Sequence, residues 1–253
     1  MSKIALITGA TSGIGEAVAY KLAEKGYDLI ITGRRESRLQ GLSHELCKSF
    51  PIRTLPLSFD VRVLEDVEKY ILNLPQDWKD IDVLVNNAGL AVGLNTIDAG
   101  IYDDWDRMID TNIKGLLYMT KVVSNLMIPN KKGHIINLCS IAGKEVYPNG
   151  NVYCATKHAV DAITKSTRID LLPHNIRVSQ ICPGAVETEF SEVRFKGDKD
   201  RAAMVYKGFE PLKAEDIANA ILFMIECPPH VNINDMVIMP TAQANSSIFN
   251  KKL

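Results

Sequence analysis

The amino-acid sequence predicts an α/β protein with one parallel sheet that is covered by helices on both faces. Short apolar segments typical of buried strands alternate with longer segments of helical periodicity from the first residues to the last. We find no linker and no low-complexity stretch, and 253 residues suit one domain of this class. Residues 1–253 are therefore expected to form a single, doubly wound domain.

The elements follow from the pattern of apolar residues in chain order. The first strand ends in Thr-Gly, and the helix after it places Ile14, Val18 and Leu22 on one face. A longer helical region is expected to divide into two consecutive helices near Asn112. The predicted strands are residues 4–7, 28–32, 53–58, 81–85, 133–138, 177–181 and 235–239. The predicted helices are residues 13–25, 34–49, 61–74, 104–128, 151–172 and 214–226.

Residues 185–212 interrupt this alternation after Pro183 and Gly184. The segment is polar, carries many charges, and contains no long regular element. Long irregular segments inside compact domains often carry function. We expect this one to cover the substrate.

Composition narrows the range of partners. The chain has 29 basic and 30 acidic residues and no long run of one sign, so neither nucleic acid nor an anionic membrane is indicated. Its five cysteines are odd in number and lack C-x-x-C spacing, as expected for reduced thiols. No stretch approaches the about 20 apolar residues of a membrane span, and the first apolar run is too short for a signal peptide. A cytoplasmic protein without a metal site is expected.

Three glycines follow the first predicted strand, in the sequence from Thr8 to Gly15. Gly9 permits a sharp turn, Gly13 allows phosphates to approach the backbone, and Gly15 allows the helix to lie close to the strand. Their G-x-x-x-G-x-G spacing differs from the common dinucleotide fingerprint, and an isolated glycine pattern is often only a turn. The position between a strand and a helix N-terminus nevertheless favours a pyrophosphate site of Rossmann type.

The second predicted strand ends in Thr32-Gly33-Arg34-Arg35. An acid at this point usually binds the ribose hydroxyls of NAD, whereas arginine accommodates the 2′-phosphate of NADP. No acid is present, so NADP is the predicted cofactor, with Arg34 as the main phosphate ligand and Arg35 as the second. The alternative is a pair of solvated arginines, which would be unfavourable at a helix start.

Tyr153 and Lys157 lie four residues apart in a predicted helix and therefore on one face. A nearby ammonium favours the phenolate, so this tyrosine is a candidate for exchanging a proton with an alcohol or carbonyl oxygen. Alone, such a pair is more often an ordinary surface contact.

The set of motifs is more specific than any one of them. The glycine loop, Asn86-Asn87-Ala88-Gly89, Ser140, the Tyr153–Lys157 pair and Pro183-Gly184 together resemble the short-chain dehydrogenase/reductase family. That resemblance covers the whole chain. It implies a hydride-transferring enzyme in which Ser140, Tyr153, Lys157 and Asn112 form the catalytic set. The expected cofactor contacts are Thr8, Gly9, Thr11, Ser12, Gly13, Ile14, Gly15, Arg34, Arg35, Asp60, Val61, Asn87, Ala88, Gly89, Tyr153, Lys157, Pro183, Gly184, Val186 and Thr188.

The resemblance also implies individual roles. Ser140 would bind the substrate oxygen, and Lys157 would bind the nicotinamide ribose and lower the pKa of Tyr153. The backbone carbonyl of Asn112 would hold a water that links Lys157 to solvent. Asp60 and Val61 would contact the adenine, and Thr188 would bind the carboxamide of the nicotinamide.

Other segments resemble the NADP-dependent 3-hydroxy acid dehydrogenase branch of the family, among them residues 86–91, 150–153, 189–198 and 230–234. This branch implies serine, allo-threonine and related 3-hydroxy acids as substrates, malonic semialdehyde as a carbonyl substrate, and a homotetramer. Residues 144–145 and the tail from 246 to 253 depart from it. Two alternatives remain open: a reductase of another ketone, steroid or 3-oxoacyl substrate, and a dinucleotide-binding regulator without catalysis.

A 3-hydroxy acid carries a carboxylate, which an arginine binds well through its fork of donors. Ser140 and Tyr153 are expected to bind the reacting oxygen, and Arg194 in the polar segment is the candidate for the carboxylate. Lys144 and the C-terminal tail are rivals. In the alternative interpretation, Arg194 forms a surface ion pair with Glu192 or Asp198.

Overall fold

Seven strands form a parallel sheet in the computed structural model, which describes residues 2–252. The strands are β1 (Ile4–Thr8), β2 (Asp28–Gly33), β3 (Thr54–Ser58), β4 (Ile81–Asn86), β5 (His134–Leu138), β6 (Arg177–Pro183) and β7 (Asp235–Ile238). Their order is β3-β2-β1-β4-β5-β6-β7, so the sheet grows outward in both directions from the β1–β4 pair. Ligands bind at this switch point, outside the carboxyl ends of the strands, in sheets of this kind.

Nine α-helices of the described chain connect the strands or follow them. They are α1 (Gly13–Glu24), α2 (Glu36–Ser49), α3 (Leu64–Leu72), α4 (Tyr102–Ile109), α5 (Leu116–Met127), α6 (Asn151–Leu171), α7 (Phe190–Arg194), α8 (Lys199–Tyr206) and α9 (Ala214–Glu226). The predicted α/β class with a doubly wound parallel sheet is confirmed.

Strand β1 shows why both faces need a cover. Its five residues are all buried, and neighbouring side chains point into different cores. Ile7 belongs to a core built with α1, α2 and α9, whereas Leu6 belongs to a second core that includes residues of α3 and α5. Sandwiching the sheet in this way removes its apolar residues from water on both sides.

Two predicted helix starts were too early, and in each case a side chain competes with the helix. The third helix begins at Leu64 and not at Val61, because Asp60 accepts a hydrogen bond from the backbone N–H of Arg62 at 3.0 Å and forms a turn there. The second helix begins at Glu36 and not at Arg34, since the backbone of Arg35 is not helical (φ −97°, ψ 85°).

The helical region predicted from residue 104 to 128 begins at Tyr102 and divides as expected. A π-helical turn from Asp110 to Gly115 separates α4 from α5, and Asn112 lies within it. Such turns are rare and often occur at functional sites.

The segment expected to be irregular contains short helices α7 and α8. A bridge between Val186 and Leu212 joins its two ends. The backbone N–H of Gly93 donates to the carbonyl of Arg194 at 2.9 Å, which fixes α7 against the loop after β4. In the described part of the chain, no helix combines the length and apolar character needed to cross a membrane.

Candidate active site

A cavity of about 570 Å³ opens at the carboxyl ends of β1, β4, β5 and β6. It is bounded by the glycine loop on one side and by residues 185–206 on the other. The sequence-predicted residues that line it are Gly9, Thr11, Ser12, Gly13, Ile14, Arg34, Arg35, Asp60, Val61, Asn87, Ala88, Gly89, Ser140, Tyr153, Lys157, Pro183, Gly184, Val186, Thr188 and Arg194. Three others, Thr8, Gly15 and Asn112, lie behind these and support them.

The glycine loop is shaped by the steric limits of its backbone. Gly9 has φ 66°, a left-handed conformation that glycine adopts without strain. A Cβ on Gly15 would lie only 2.5 Å from the carbonyl oxygen of Gly9, so the helix approaches the loop too closely for a side chain. The N-terminus of α1 consequently faces the cavity, where its dipole and free N–H groups favour an anion.

Asn87 and Thr8 tie the end of β4 to the glycine loop. The Asn87 amide donates to the carbonyls of Thr8 and Gly9 at 2.9 and 3.0 Å. In return, the Thr8 hydroxyl accepts hydrogen bonds from the backbone N–H groups of Asn87 and Ala88. These bonds join the two central strands at the point where the strand order reverses.

The two predicted phosphate ligands have different surroundings. Arg34 is 57% exposed at its side chain, and its only ion pair among the described residues is a 3.8 Å contact with Asp60. Arg35 instead donates to the hydroxyls of Thr11 and Ser12 at 2.8 and 2.7 Å. Arg34 is therefore the more available of the two for a phosphate.

Glu189 was missed by the sequence analysis as a site residue. Its carboxylate pairs with Arg35 at 2.9 Å and with Arg38 at 2.7 Å, which links the covering segment to the start of α2. Burial opposes ionisation, but hydrogen bonds from the two guanidinium groups hold the pKa of Glu189 below its ordinary value. The partners lie more than 150 positions apart in sequence. For this reason, no local sequence pattern predicts that Glu189 pairs with Arg35 and Arg38.

Tyr153 and Lys157 lie on the cavity side of α6, and both are buried. Burial raises the pKa of the Tyr153 phenol, and a hydrogen bond with Ser140 acts in the opposite direction. Burial also lowers the pKa of Lys157. The Lys157 ammonium lies 5.9 Å from the centre of the Tyr153 ring and donates to the carbonyl of Leu138 at 2.8 Å.

Ser140 stands at the end of β5, opposite Tyr153. Its hydroxyl accepts a hydrogen bond from the N–H of Ala142 at 3.1 Å and caps a short 3₁₀ turn. This turn directs the hydroxyl into the cavity, so a serine and a tyrosine hydroxyl converge on one point. Such a pair suits binding and protonation of a single substrate oxygen.

Asn112 fixes the loop that follows β4. Its side chain exchanges two hydrogen bonds with the backbone of Leu90, at 2.9 and 2.8 Å, and donates to Thr156 at 3.0 Å. Thr156 precedes Lys157 on α6. The π-helical turn therefore joins the loop after β4 to the helix that carries Tyr153 and Lys157.

The outer end of the cavity is closed by aromatic and basic residues. The Tyr153 ring contacts Phe190 at a centroid distance of 5.8 Å. Arg194 lies over the same ring, with its central guanidinium carbon 5.6 Å from the centroid, and it donates to the Tyr147 hydroxyl at 3.0 Å. Tyr147 was not predicted, because an isolated tyrosine in a polar loop carries no recognisable signal.

Two alternatives from the sequence find no support here. Lys144 pairs with Asp161 and Asp235 on the far side of β6 and does not line the cavity. The structure therefore does not support Lys144 as the residue that binds the substrate carboxylate. Within residues 2–252, neither Glu192 nor Asp198 forms an ion pair with Arg194.

The C-terminal tail contributes to the cavity wall. Ser246 and Phe249 of the tail line it, together with Gln243, which precedes the tail. The side-chain carbonyl of Gln243 accepts a hydrogen bond from the N–H of Ala185 at 2.8 Å and so supports the covering segment at its first residue. From the sequence, this tail is divergent and a rival of Arg194 for the substrate carboxylate, and its position at the cavity wall is compatible with that hypothesis.

The fold and the convergence of Ser140, Tyr153 and Lys157 beside a phosphate-binding loop define a nucleotide-dependent oxidoreductase of the short-chain type. The family model described as short chain dehydrogenase matches residues 3–199. The chain belongs to this family.

Several relatives are similar over nearly the whole chain. The NADP-dependent 3-hydroxy acid dehydrogenase of Salmonella typhimurium is 46% identical over 242 residues, which are 95% of this chain and 96% of that protein. A protein of that description from Schizosaccharomyces pombe is 43% identical over 247 residues, 97% of this chain and 95% of the relative. The closed form of a serine dehydrogenase complexed with NADP⁺ superposes with a TM-score of 0.93 at 42% identity, covering 99% of this chain and 100% of that one.

Proposed function

We propose that this protein transfers a hydride between NADP(H) and a small 3-hydroxy acid or its carbonyl form, of the serine, allo-threonine and 3-hydroxypropionate or malonic semialdehyde type. One observation carries the proposal: Ser140, Tyr153 and Lys157 open on the same cavity as the glycine loop and Arg34. Relatives that are named for this activity support it.

The residues present fit a phosphorylated dinucleotide. The close approach at Gly15 brings the N-terminus of α1 to the cavity, where a pyrophosphate is favoured. Asp60 and Val61 border the space expected for the adenine, and Arg34 stands at its edge. No acid follows β2, so NADP is expected over NAD.

The bound nicotinamide supplies or accepts the hydride, and the protein supplies position and proton transfer. In reduction, the Tyr153 hydroxyl donates a proton to the substrate oxygen, which Ser140 holds by a hydrogen bond. In oxidation, Tyr153 accepts that proton. Lys157 binds the nicotinamide ribose and favours the phenolate, which offsets the effect of burial on the Tyr153 pKa. In this proposal, a water bound to the backbone carbonyl of Asn112 would connect Lys157 to solvent and complete the path of the proton.

The remaining parts of the proposal concern domain organisation, assembly and location. Residues 1–253 would act as one domain, with residues 185–212 covering the substrate. The proposal includes a homotetramer and a cytoplasmic location. Exposed apolar side chains, among them Tyr102, Leu117, Phe223 and Val237, are available for subunit contacts.

The test is the absorbance of NADPH with purified protein. NADP⁺ reduction is followed with L-serine, L-allo-threonine, 3-hydroxypropionate and 3-hydroxyisobutyrate, and NADPH oxidation with malonic semialdehyde. Turnover of these acids well above that of 2-butanol and a steroid alcohol supports the proposal. Faster turnover of the neutral alcohols would favour a reductase of another carbonyl, and NADPH binding without any turnover would favour a regulator.

A further inference from the structure

Arg194 forms no ion pair with any residue from 2 to 252. The residue is only partly exposed, and its Nε is buried without a hydrogen-bond partner among the described residues. One terminal nitrogen donates to Tyr147, which is a neutral partner. A partly buried cation with an unpartnered N–H is less favourable than a paired one, and an anionic ligand would satisfy it.

Two lysines in or next to the covering segment do have counter-ions. Lys196, two residues away, pairs with the buried carboxylate of Asp104 at 2.9 Å. Lys213 pairs with Glu187 at the other end of the segment. The carboxylates of Asp104 and Glu187 are thus already paired, whereas Arg194 lines the cavity without an ion pair among residues 2–252.

Tyr147 holds the guanidinium in place. Its hydroxyl accepts the 3.0 Å hydrogen bond from Arg194, and its ring lies 5.3 Å from the central guanidinium carbon. Burial raises the pKa of this phenol, so Tyr147 stays neutral and does not satisfy the arginine as a counter-ion would. Arg194 is therefore oriented in advance, which reduces the entropy that a ligand loses on binding.

We propose that Arg194, oriented by Tyr147, binds the substrate carboxylate and selects small acids over neutral alcohols. The inference rests on the proposed function and assigns its specificity to named residues. The guanidinium carbon lies 5.6 Å from the Tyr153 ring. This short separation suits an acid whose carboxylate is close to its reacting oxygen.

The experiment compares two substrates of nearly equal size, the charged 3-hydroxypropionate and the neutral 3-hydroxypropionamide, in the oxidation assay with NADP⁺. Arg194→Met is expected to raise KM for the acid at least about tenfold and to change KM for the amide less than about twofold, because one charge-assisted contact is lost. Arg201→Met is the matched control. Arg201 lies in the same segment, stacks on Phe195 and does not line the cavity.

Tyr147→Phe tests the positioning role. It keeps the ring and removes the acceptor, so the ratio of KM for the acid to KM for the amide should rise about two- to fivefold. A purely structural role would affect both substrates alike. NADPH affinity, measured by fluorescence, should stay at the wild-type value in all three variants.

The outcomes separate this inference from the proposed function. If the wild-type protein oxidises neither substrate, the proposed function itself fails. If the wild-type protein prefers the acid, and Arg194→Met raises KM equally for both substrates or for neither, the carboxylate is bound elsewhere. That result would overturn the inference. Partial recovery of acid selectivity by Arg194→Lys would support it.

Discussion

The glycine loop (residues 8–15) and the covering segment (residues 185–212) face each other across one cavity but are held in place differently. The loop begins at a fully buried strand, and backbone hydrogen bonds and close contacts fix it. The covering segment contains two short helices, and only Ser191 and Ala202 of its residues are buried. It is held by ion pairs of Glu187 and Glu189 and by the C-terminal tail, where the N–H of Lys252 donates to the carbonyl of Gly208.

This difference indicates that the two regions have different functions. The loop and the helix that carries Tyr153 must keep the cofactor and the proton donor in fixed positions, which buried backbone contacts provide. A cover must open for each substrate, and exposed ion pairs contribute only about 0.2–1 kcal/mol each. We call the glycine loop and helix α6 the fixed frame, and residues 185–212 the cover. Substitutions in the fixed frame are expected to reduce activity or cofactor binding strongly. Substitutions in the cover should have small or substrate-dependent effects on activity.

The largest effect is expected at the centre of the fixed frame. Tyr153→Phe keeps the ring and its contact with Phe190 but removes the hydroxyl that exchanges a proton with the substrate. Turnover should fall by roughly 10²–10⁴-fold, the usual contribution of positioned acid–base catalysis. NADPH affinity, measured by fluorescence titration, should remain. Retention of most of the activity would mean that another group is the acid.

Gly15→Ala tests the close contact between loop and helix. The added Cβ would meet the Gly9 carbonyl, so overpacking should cost about 1–3 kcal/mol of unfolding free energy and weaken NADPH binding. Gly41→Ala on α2 is the control, because nothing lies within 4 Å of its Cβ position. That variant should be unchanged or up to about 1 kcal/mol more stable. Urea denaturation with and without NADPH measures both, and equal stability of the two variants would contradict the argument.

Arg34→Ala addresses cofactor choice at the edge of the frame. The exposed guanidinium is the expected ligand of the 2′-phosphate, so kcat/KM for NADP⁺ should fall at least about tenfold while the value for NAD⁺ changes little. NAD⁺ serves as the internal control in the same assay. Equal losses with the two cofactors would assign Arg34 a structural role.

The smallest effect is expected in the cover. Glu189→Gln removes the ion pairs with Arg35 and Arg38, and substrate KM should rise about two- to fivefold. Because the pKa of Glu189 is lowered in the folded protein, this contact is present above the ordinary glutamate range and is lost as the pH falls through the lowered value. Hydrogen exchange of residues 185–206 should accelerate.

The matched control for the cover is Glu192→Gln on the same short helix. Glu192 is exposed and forms no ion pair within the described residues, so exchange in this variant should resemble that of the wild type. Slow, unchanged exchange in Glu189→Gln would show that the tail, and not the ion pairs, holds the cover.

Part of the site follows from local sequence. The glycine loop, the Arg34–Arg35 pair and the Tyr153–Lys157 spacing each lie within one strand–turn–helix unit or one helix, where chain geometry fixes the neighbours. The bounds of α9 agree with the sequence pattern at both ends. The predicted start of α3 was wrong, because a side-chain turn at Asp60 displaces it.

The fold class and the glycine loop could be predicted from the sequence alone, because hydrophobic periodicity and glycine placement act over a few residues. Tertiary structure alone decided the partners of Glu189, the place of Lys144 beyond β6, and the contact of Tyr147 with Arg194. Each of these contacts joins residues that are tens of positions or more apart. Their pairing depends on how the helices and the cover pack on the sheet, which no local pattern records.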